Sequence, residues 1–211
     1  SELNEALQRL SELSQMKANF VANISHELRT PLTHVKGYLE LLVTGSLGTI
    51  VEEQRHALQV SQRATTKLED MIEDLIMFSL ASRGEMSMKL DKVDIRRVVS
   101  LAVKSASNKA EERSVQVLAS AAESIPAVQA DPEKIGWVLN QLLDNGIKFT
   151  PSGGSVVIAL QEEGHNLVIL TVTDTGIGIP LDRLKEIFEP FHQLDGSSTR
   201  HYGGTGLGLA I

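Results

Sequence analysis

Three features of this 211-residue chain predict an α+β fold in two parts. An apolar repeat at threes and fours runs almost unbroken through about residue 82. Beyond residue 83 it gives way to short alternating runs, and helix-start and turn signals punctuate those runs at regular points. The boundary drawn from this change of pattern separates a helical part, 1–82, from a mixed part, 83–211.

Leu3, Leu7, Leu10, Leu13, Met16 and Phe20 open the first part at helical spacing, and Ile24, Leu28, Val35, Leu39 and Leu42 continue it. Thr44-Gly45-Ser46-Leu47-Gly48 breaks the pattern with two glycines and small polar residues, a turn signal. A second run follows in Leu58, Thr65, Leu68, Met71, Ile72, Leu75 and Phe78. Two long helices joined by a short loop make an antiparallel hairpin. A lone hairpin cannot bury both of its faces, so pairing with a second copy into a four-helix bundle is the expected solution. A monomeric hairpin packed on the rest of its own chain is the alternative.

In the second part, Met86 to Val93 alternates like an edge strand, and Asp94 caps a helix reaching about Arg113. Residues 115–118 and 127–130 read as short strands. Asp131-Pro132-Glu133 starts a helix, with proline in the first turn. After Pro151-Ser152-Gly153-Gly154, the runs 155–160 and 167–173 form a hairpin. Helices on one face of a sheet with antiparallel pairing make an α/β sandwich.

A net charge of −7 argues against nucleic acid as the main partner, because binding a phosphate backbone needs a basic face. The absence of cysteine removes disulfides and thiolate metal sites, and it suits a reducing compartment. No apolar run approaches the roughly 20 residues that span a bilayer. The chain opens on Ser1 without a signal peptide, so it is expected to be part of a longer protein.

Four segments carry chemistry. Ser25-His26-Glu27-Leu28-Arg29-Thr30-Pro31 lies within the first helix, where proline deprives the Glu27 carbonyl of its helical partner and is expected to kink the helix. His26 and Thr30 stand one turn apart on one face. A neutral imidazole is a nucleophile for phosphorus, and the neighbouring Glu27 can hold the proton of its other nitrogen. Such a pair on a helix is also common as a solvated face.

On the next helix, Ile135, Val138, Leu139, Leu142, Gly146 and Phe149 form an apolar stripe, flanked by Gln141, Asn145 and Lys148. An amide oxygen suits Mg²⁺, and a lysine suits phosphate. Asp174-Thr175-Gly176-Ile177-Gly178 directly follows the last strand, and its glycines allow close backbone approach to a ligand. Gly203-Gly204-Thr205-Gly206-Leu207-Gly208 can present backbone N–H groups to phosphate. Leu181 to Tyr202, between the glycine segments, is too long for a simple connection and is a candidate lid. His34, His56, His165, His192 and His201 are not spaced as a metal set.

In this order and after a helical hairpin, the segments resemble the sensor histidine kinases of two-component systems over essentially the whole chain. Ser25–Leu32 is similar to that family's phosphoacceptor box, and the run ending at Phe149 to its asparagine box. Asp174–Gly178 is similar to the first glycine box, Ile187–Phe191 to the phenylalanine box, and Gly204–Leu209 to the second glycine box.

The resemblance implies a Bergerat-type ATP-binding fold of the GHKL type for the second part, with ATP and Mg²⁺ as cofactors. It implies His26 as phosphoacceptor, Glu27 as its base, and Thr30 in dephosphorylation of a response regulator. Asn145 is implied on the metal with Gln141 beside it, Lys148 near phosphate and Asp174 on the adenine amino group. Phe149, Gly176, Gly178, Arg200, Gly204, Thr205, Gly206, Leu207 and Gly208 are implied to line the nucleotide. The implied partners are a receiver domain and a second copy of the chain, in the cytoplasm, with any membrane contact made through segments absent here.

Two departures stand out. The asparagine box usually opens with Asn where this chain has Gln141, and the family normally continues past Ile211 with the rest of a helix and further strands. Chaperone, mismatch-repair and topoisomerase ATPases share the ATP fold but lack the upstream His-Glu-x-x-Thr-Pro helix. A dimeric scaffold that binds nucleotide only as a signal is the non-enzymatic alternative.

Overall fold

Glu2–Val43 forms α1 and Glu52–Ser82 forms α2, as the two apolar stripes require. The computed structural model describes residues 2–122, 124–164, 167–193 and 205–210, and it leaves several α1 side chains, His26 among them, outside the description. The chain divides into two units, the first running to Met86 and the second from Ser87 to Ala210.

In the first unit the loop after Val43 holds the predicted glycine turn. α2 then starts with the Val51 N–H donating to Gln54 Oε1 at 3.0 Å, and Glu52 and Glu53 lie in its first turn. Cross-hairpin pairs fix the antiparallel register. Arg83 donates to Asn19 Oδ1 at 2.9 Å, Arg29 to Glu73 at 3.4 Å, Lys36 to Glu69 at 2.6 Å, and Arg55 to the Val43 carbonyl at 3.1 Å. The exposed ion pairs among these contribute little each, about 0–1 kcal/mol, so burial of Leu32 and Ile72 is the main attraction. The helical assignment of α1 continues through Pro31 without a break.

Leu28, Val35 and Leu68 face outward, 45 %, 49 % and 47 % exposed, while Leu39 and Leu75 are half-buried. Much of the apolar stripe therefore lies outside the hairpin's own core.

The second unit places two helices on one face of a sheet. Asp94 caps α3 (Ile95–Glu112) by accepting from the Arg96 N–H at 3.0 Å. Asp131 caps α4 (Pro132–Phe149), and its Oδ1 accepts from the Glu133 and Lys134 N–H groups at 3.0 and 3.1 Å. Its Oδ2 accepts from the Lys89 N–H at 3.0 Å. The Lys89 bond, then that from Lys134, holds the buried Asp131 carboxyl below the usual carboxylate range.

β1 (Asp91–Val93) pairs antiparallel with β3 (Val128–Ala130). A separate three-stranded sheet runs in the order β2 (Gln116–Ala121), β4 (Ser155–Glu163), β5 (Leu167–Asp174). The inward residues of β4, Val156, Ile158 and Leu160, pack with Val98, Val99, Ala102 and Ala106 of α3 and with Leu139, Leu143 and Ile147 of α4 to form the core.

Three expectations change. The Met86–Val93 strand shortens to its last three residues, and the Lys89 N–H is used by the Asp131 cap rather than by a ladder. The sheet is mixed: β4 and β5 pair antiparallel as expected, but β2 and β4 are parallel because α4 supplies the crossover between them. The buried stripe of α4 is Leu139, Leu143, Gly146 and Ile147, while Val138 is 48 % exposed.

Candidate functional site

α4 is the element on which the sequence-predicted residues of the second unit meet. Gln141, Asn145 and Lys148 are half-buried along one flank of the helix. The Lys148 ammonium stands 4.6 Å from the centre of the Phe149 ring, and the Lys148 carbonyl accepts from Arg113 at 3.0 Å, tying the end of α4 to the end of α3.

The first glycine segment docks against this end of α4. Asp174 closes β5 in an exposed position, and its Oδ1 accepts from the Gly176 N–H at 2.8 Å. The Ile177 N–H donates to the Phe149 carbonyl at 3.2 Å. A Cβ at Gly176 would stand 2.8 Å from that carbonyl oxygen, so only glycine permits the approach. Thr175 anchors the segment to β4, because its Oγ1 accepts from the Ser155 N–H at 2.9 Å. Gly178 lies farther out, with open space around its Cα.

The second glycine segment reaches α4 two turns earlier. A Cβ on Gly208 would collide with Oε1 of Gln141. Leu207 is 0 % exposed, and its N–H donates to Thr205 Oγ1 at 3.3 Å. The Gly206 carbonyl accepts from the Phe191 N–H at 2.9 Å, which joins the phenylalanine segment to the glycine segment across residues 194–204.

The root of the candidate lid has its own network. Glu186 accepts from Arg183 Nε and Nη2 at 3.0 and 2.9 Å, and it lies 3.1 Å from His192 Nε2. The Arg183 guanidinium first, and His192 second, hold the Glu186 carboxyl below the usual carboxylate range. An ionised acceptor there requires the His192 Nε2 to carry the proton. This network was missed at the sequence level, although the three-residue spacing of Arg183 and Glu186 is a signal for it.

Arg200 and Gly204 lie outside the described residues, as do His165 and His201. In the first unit, His26 occupies the middle of α1 and its side chain lies outside the description, whereas Glu27 and Thr30 are exposed.

Two family models match the chain. Residues 16–84 fit the His Kinase A (phospho-acceptor) domain, and residues 130–211 fit the Histidine kinase-, DNA gyrase B-, and HSP90-like ATPase. The chain belongs to the sensor histidine kinases.

Among curated relatives, this kinase core is 34 % identical over 212 residues to the circadian input-output histidine kinase CikA of Synechococcus elongatus. That match covers 100 % of this chain and 28 % of the relative. It is also 34 % identical over 201 residues to the sensor histidine kinase WalK of Bacillus subtilis, with 95 % and 33 % covered. The chain thus spans about a third or less of the length of these relatives.

Among solved structures, the kinase core resembles full-length ShkA in complex with AMPPNP, with a TM-score of 0.70 and 28 % identity over 91 % of this chain and 39 % of that one. The Acinetobacter baumannii histidine kinase AdeS follows with a TM-score of 0.56 and 27 % identity, covering 88 % and 82 %. Among the described residues, no helix of the kinase core is long and apolar enough to cross a membrane.

Proposed function

We propose that this chain transfers the γ-phosphoryl group of ATP to its own His26 and then on to an aspartate of a response-regulator receiver domain. One observation carries the reading: both glycine segments close on the same helix, α4, at Phe149 and at Gln141, on the flank that bears Asn145 and Lys148. The result is a cradle of backbone and amide groups with an acidic acceptor, Asp174, at one end, as a purine triphosphate requires. The match to an ATPase model and the likeness to a kinase bound to AMPPNP support ATP as the ligand.

Asp174 is the acceptor for the adenine amino group, with one oxygen already oriented by the Gly176 N–H. Gly176 and Gly178 let the backbone approach the base. Lys148 offers its charge to phosphate. Thr205, Gly206, Leu207 and Gly208, with Gly204 of the same segment and Arg200 of the lid, line the phosphates.

Among the described residues no group of three His, Asp or Glu forms a metal cage. Magnesium would be held mainly by nucleotide phosphates and water, with Asn145 as the amide ligand. The ion would neutralise phosphate charge during transfer.

In the chemical step a neutral His26 nitrogen attacks the γ-phosphorus. The N–P bond forms as the bond to the β,γ-bridging oxygen breaks, and ADP departs with that electron pair. Glu27, the next residue, takes the proton from the other ring nitrogen. Transfer to the regulator exchanges the N–P bond for an acyl phosphate on its aspartate. Thr30, one turn beyond His26 and exposed, orients water for hydrolysis of that acyl phosphate, which gives the core a phosphatase activity.

The exposed faces at Leu28, Val35 and Leu68 pair two copies into a four-helix bundle. The setting is the cytoplasm, where ATP and receiver domains are found, with any membrane attachment made by other segments of a longer protein. Incubation with γ-labelled ATP and Mg²⁺ tests the reading. It requires label that is lost in acid and kept in alkali, and label stable in acid would contradict it.

A further inference from the structure

Gln141 stands where the family's asparagine box usually has Asn, and the structure puts its side chain to a different use. Its outer atoms lie directly beneath Gly208. A Cβ on that glycine would meet Oε1 in collision, stand 3.1 Å from Cδ and lie 3.7 Å from Cγ. The distances rise steadily from the terminal oxygen inward, so the side chain meets this backbone position end-on, with its tip against the glycine.

The neighbouring residues are fixed by other means. The Gly206 carbonyl is held by the Phe191 N–H, and the Leu207 side chain is fully buried. Gln141 is the α4 side chain nearest to where a Gly208 Cβ would stand.

We propose that Gln141 is a positioning residue, a strut whose length sets the height of the Leu207–Gly208 backbone above α4, rather than a ligand of the metal. An asparagine here would be shorter by one C–C bond, ~1.5 Å, and would leave a gap under Gly208. The backbone N–H groups at this corner would then lose their preset position for a phosphate, and affinity that depends on preorganisation falls when the preset geometry is lost. The inference rests on the nucleotide-site reading above.

Calorimetric titration of ADP into the intact chain, once with Mg²⁺ and once with EDTA, separates a strut from a ligand. Binding of ADP by the wild-type chain tests the nucleotide-site reading by itself, and its failure would reject that reading before any variant is compared. If the chain binds, the informative pair is Gln141→Met and Gln141→Asn. Methionine matches glutamine in length but has no amide oxygen, whereas asparagine keeps the amide and is short.

A strut predicts that the Met variant keeps its affinity within about threefold, while the Asn variant loses roughly tenfold or more, in both buffers alike. A metal ligand predicts the reverse order, with losses confined to Mg²⁺, and that result would overturn the proposal.

Gly208→Ala provides a second line, because its methyl group must push the Gln141 amide aside. It is expected to weaken ADP binding alone, and to add less than about twofold when Gln141→Ala has already removed the strut. Full additivity of the two substitutions would overturn the proposal, as would a Gly208→Ala protein that binds ADP normally.

Discussion

The Phe191 N–H donates to the Gly206 carbonyl at 2.9 Å, so the residues on either side of segment 194–204 are joined by a backbone bond. Both ends adopt left-handed backbone, with φ of 63° at Phe191 and 69° at Gly206. Phenylalanine bears the cost of that conformation because the contact fixes it. Glycine meets it without cost, and it also leaves room for the His192 carbonyl, which a Cβ would approach to 2.9 Å.

Gly206→Ala should therefore disturb this junction. The left-handed conformation alone costs about 1–2 kcal/mol with a side chain, and the backbone atoms it would strike cannot turn aside. The expected outcome is a lower melting temperature together with nucleotide affinity reduced roughly tenfold or more. Thermal melts and ADP titration on one preparation measure both, and an unchanged pair of values would contradict the role assigned to this bond.

Asp174→Asn should weaken purine binding. The Gly176 N–H holds one oxygen of Asp174, and an asparagine that keeps this bond would aim its NH₂ at the adenine amino group, donor against donor. Loss of a charge-assisted bond of about 1.5–3 kcal/mol corresponds to roughly ten- to a hundredfold in affinity. Equal calorimetric affinities for ATP in the two proteins would remove Asp174 from the base.

Leu28→Glu combined with Val35→Glu should dissociate the dimer while leaving the hairpin folded, because both positions already face outward from the α1–α2 core. Two charges buried in a bundle seam without partners would cost at least a hundredfold in self-association. Sedimentation should show a monomer with undiminished helicity. A dimer as tight as the wild type would place the interface on another face.

The Glu186 network has a defined acid limit. Because its partners lower the folded-state pKa, the carboxyl adds stability that is present at neutral pH and lost as pH falls through that depressed value, below the usual carboxylate range. Arg183 is the largest cause, His192 the next, and Glu189 lies 3.9 Å from the other nitrogen of His192. Arg183→Ala should move the Glu186 titration upward, as carboxyl NMR shifts would report. An unmoved midpoint would show that the guanidinium does not set it.

Local chemistry made much of this fold legible in the sequence. Asp94 and Asp131 announce the starts of α3 and α4, because an aspartate before a helical stripe has one low-energy use. The glycine turn after Val43 and the β4–β5 hairpin are equally local.

What escaped depends on contacts distant in sequence. Residues 86–93 alternate well enough for a strand, yet Asp131, 42 positions beyond Lys89, takes the Lys89 N–H. Val138 fits the helical period of α4 as well as Leu143 does, and only the position of the sheet decides that Leu143 is buried. At the site, residue types and order singled out Asp174, Asn145 and the glycines as candidates. The packing of Gln141 under Gly208 joins segments 67 positions apart and has no local trace.

The central claim is transfer of phosphate to one histidine, and intact-protein mass measurement after incubation with ATP and Mg²⁺ tests it most directly. The wild-type chain should gain one phosphate that disappears in acid. His26→Gln should gain none, while binding ADP within a few-fold of wild type, because His26 belongs to the first unit and the proposed nucleotide residues to the second. An acid-labile phosphate on His26→Gln would contradict the account.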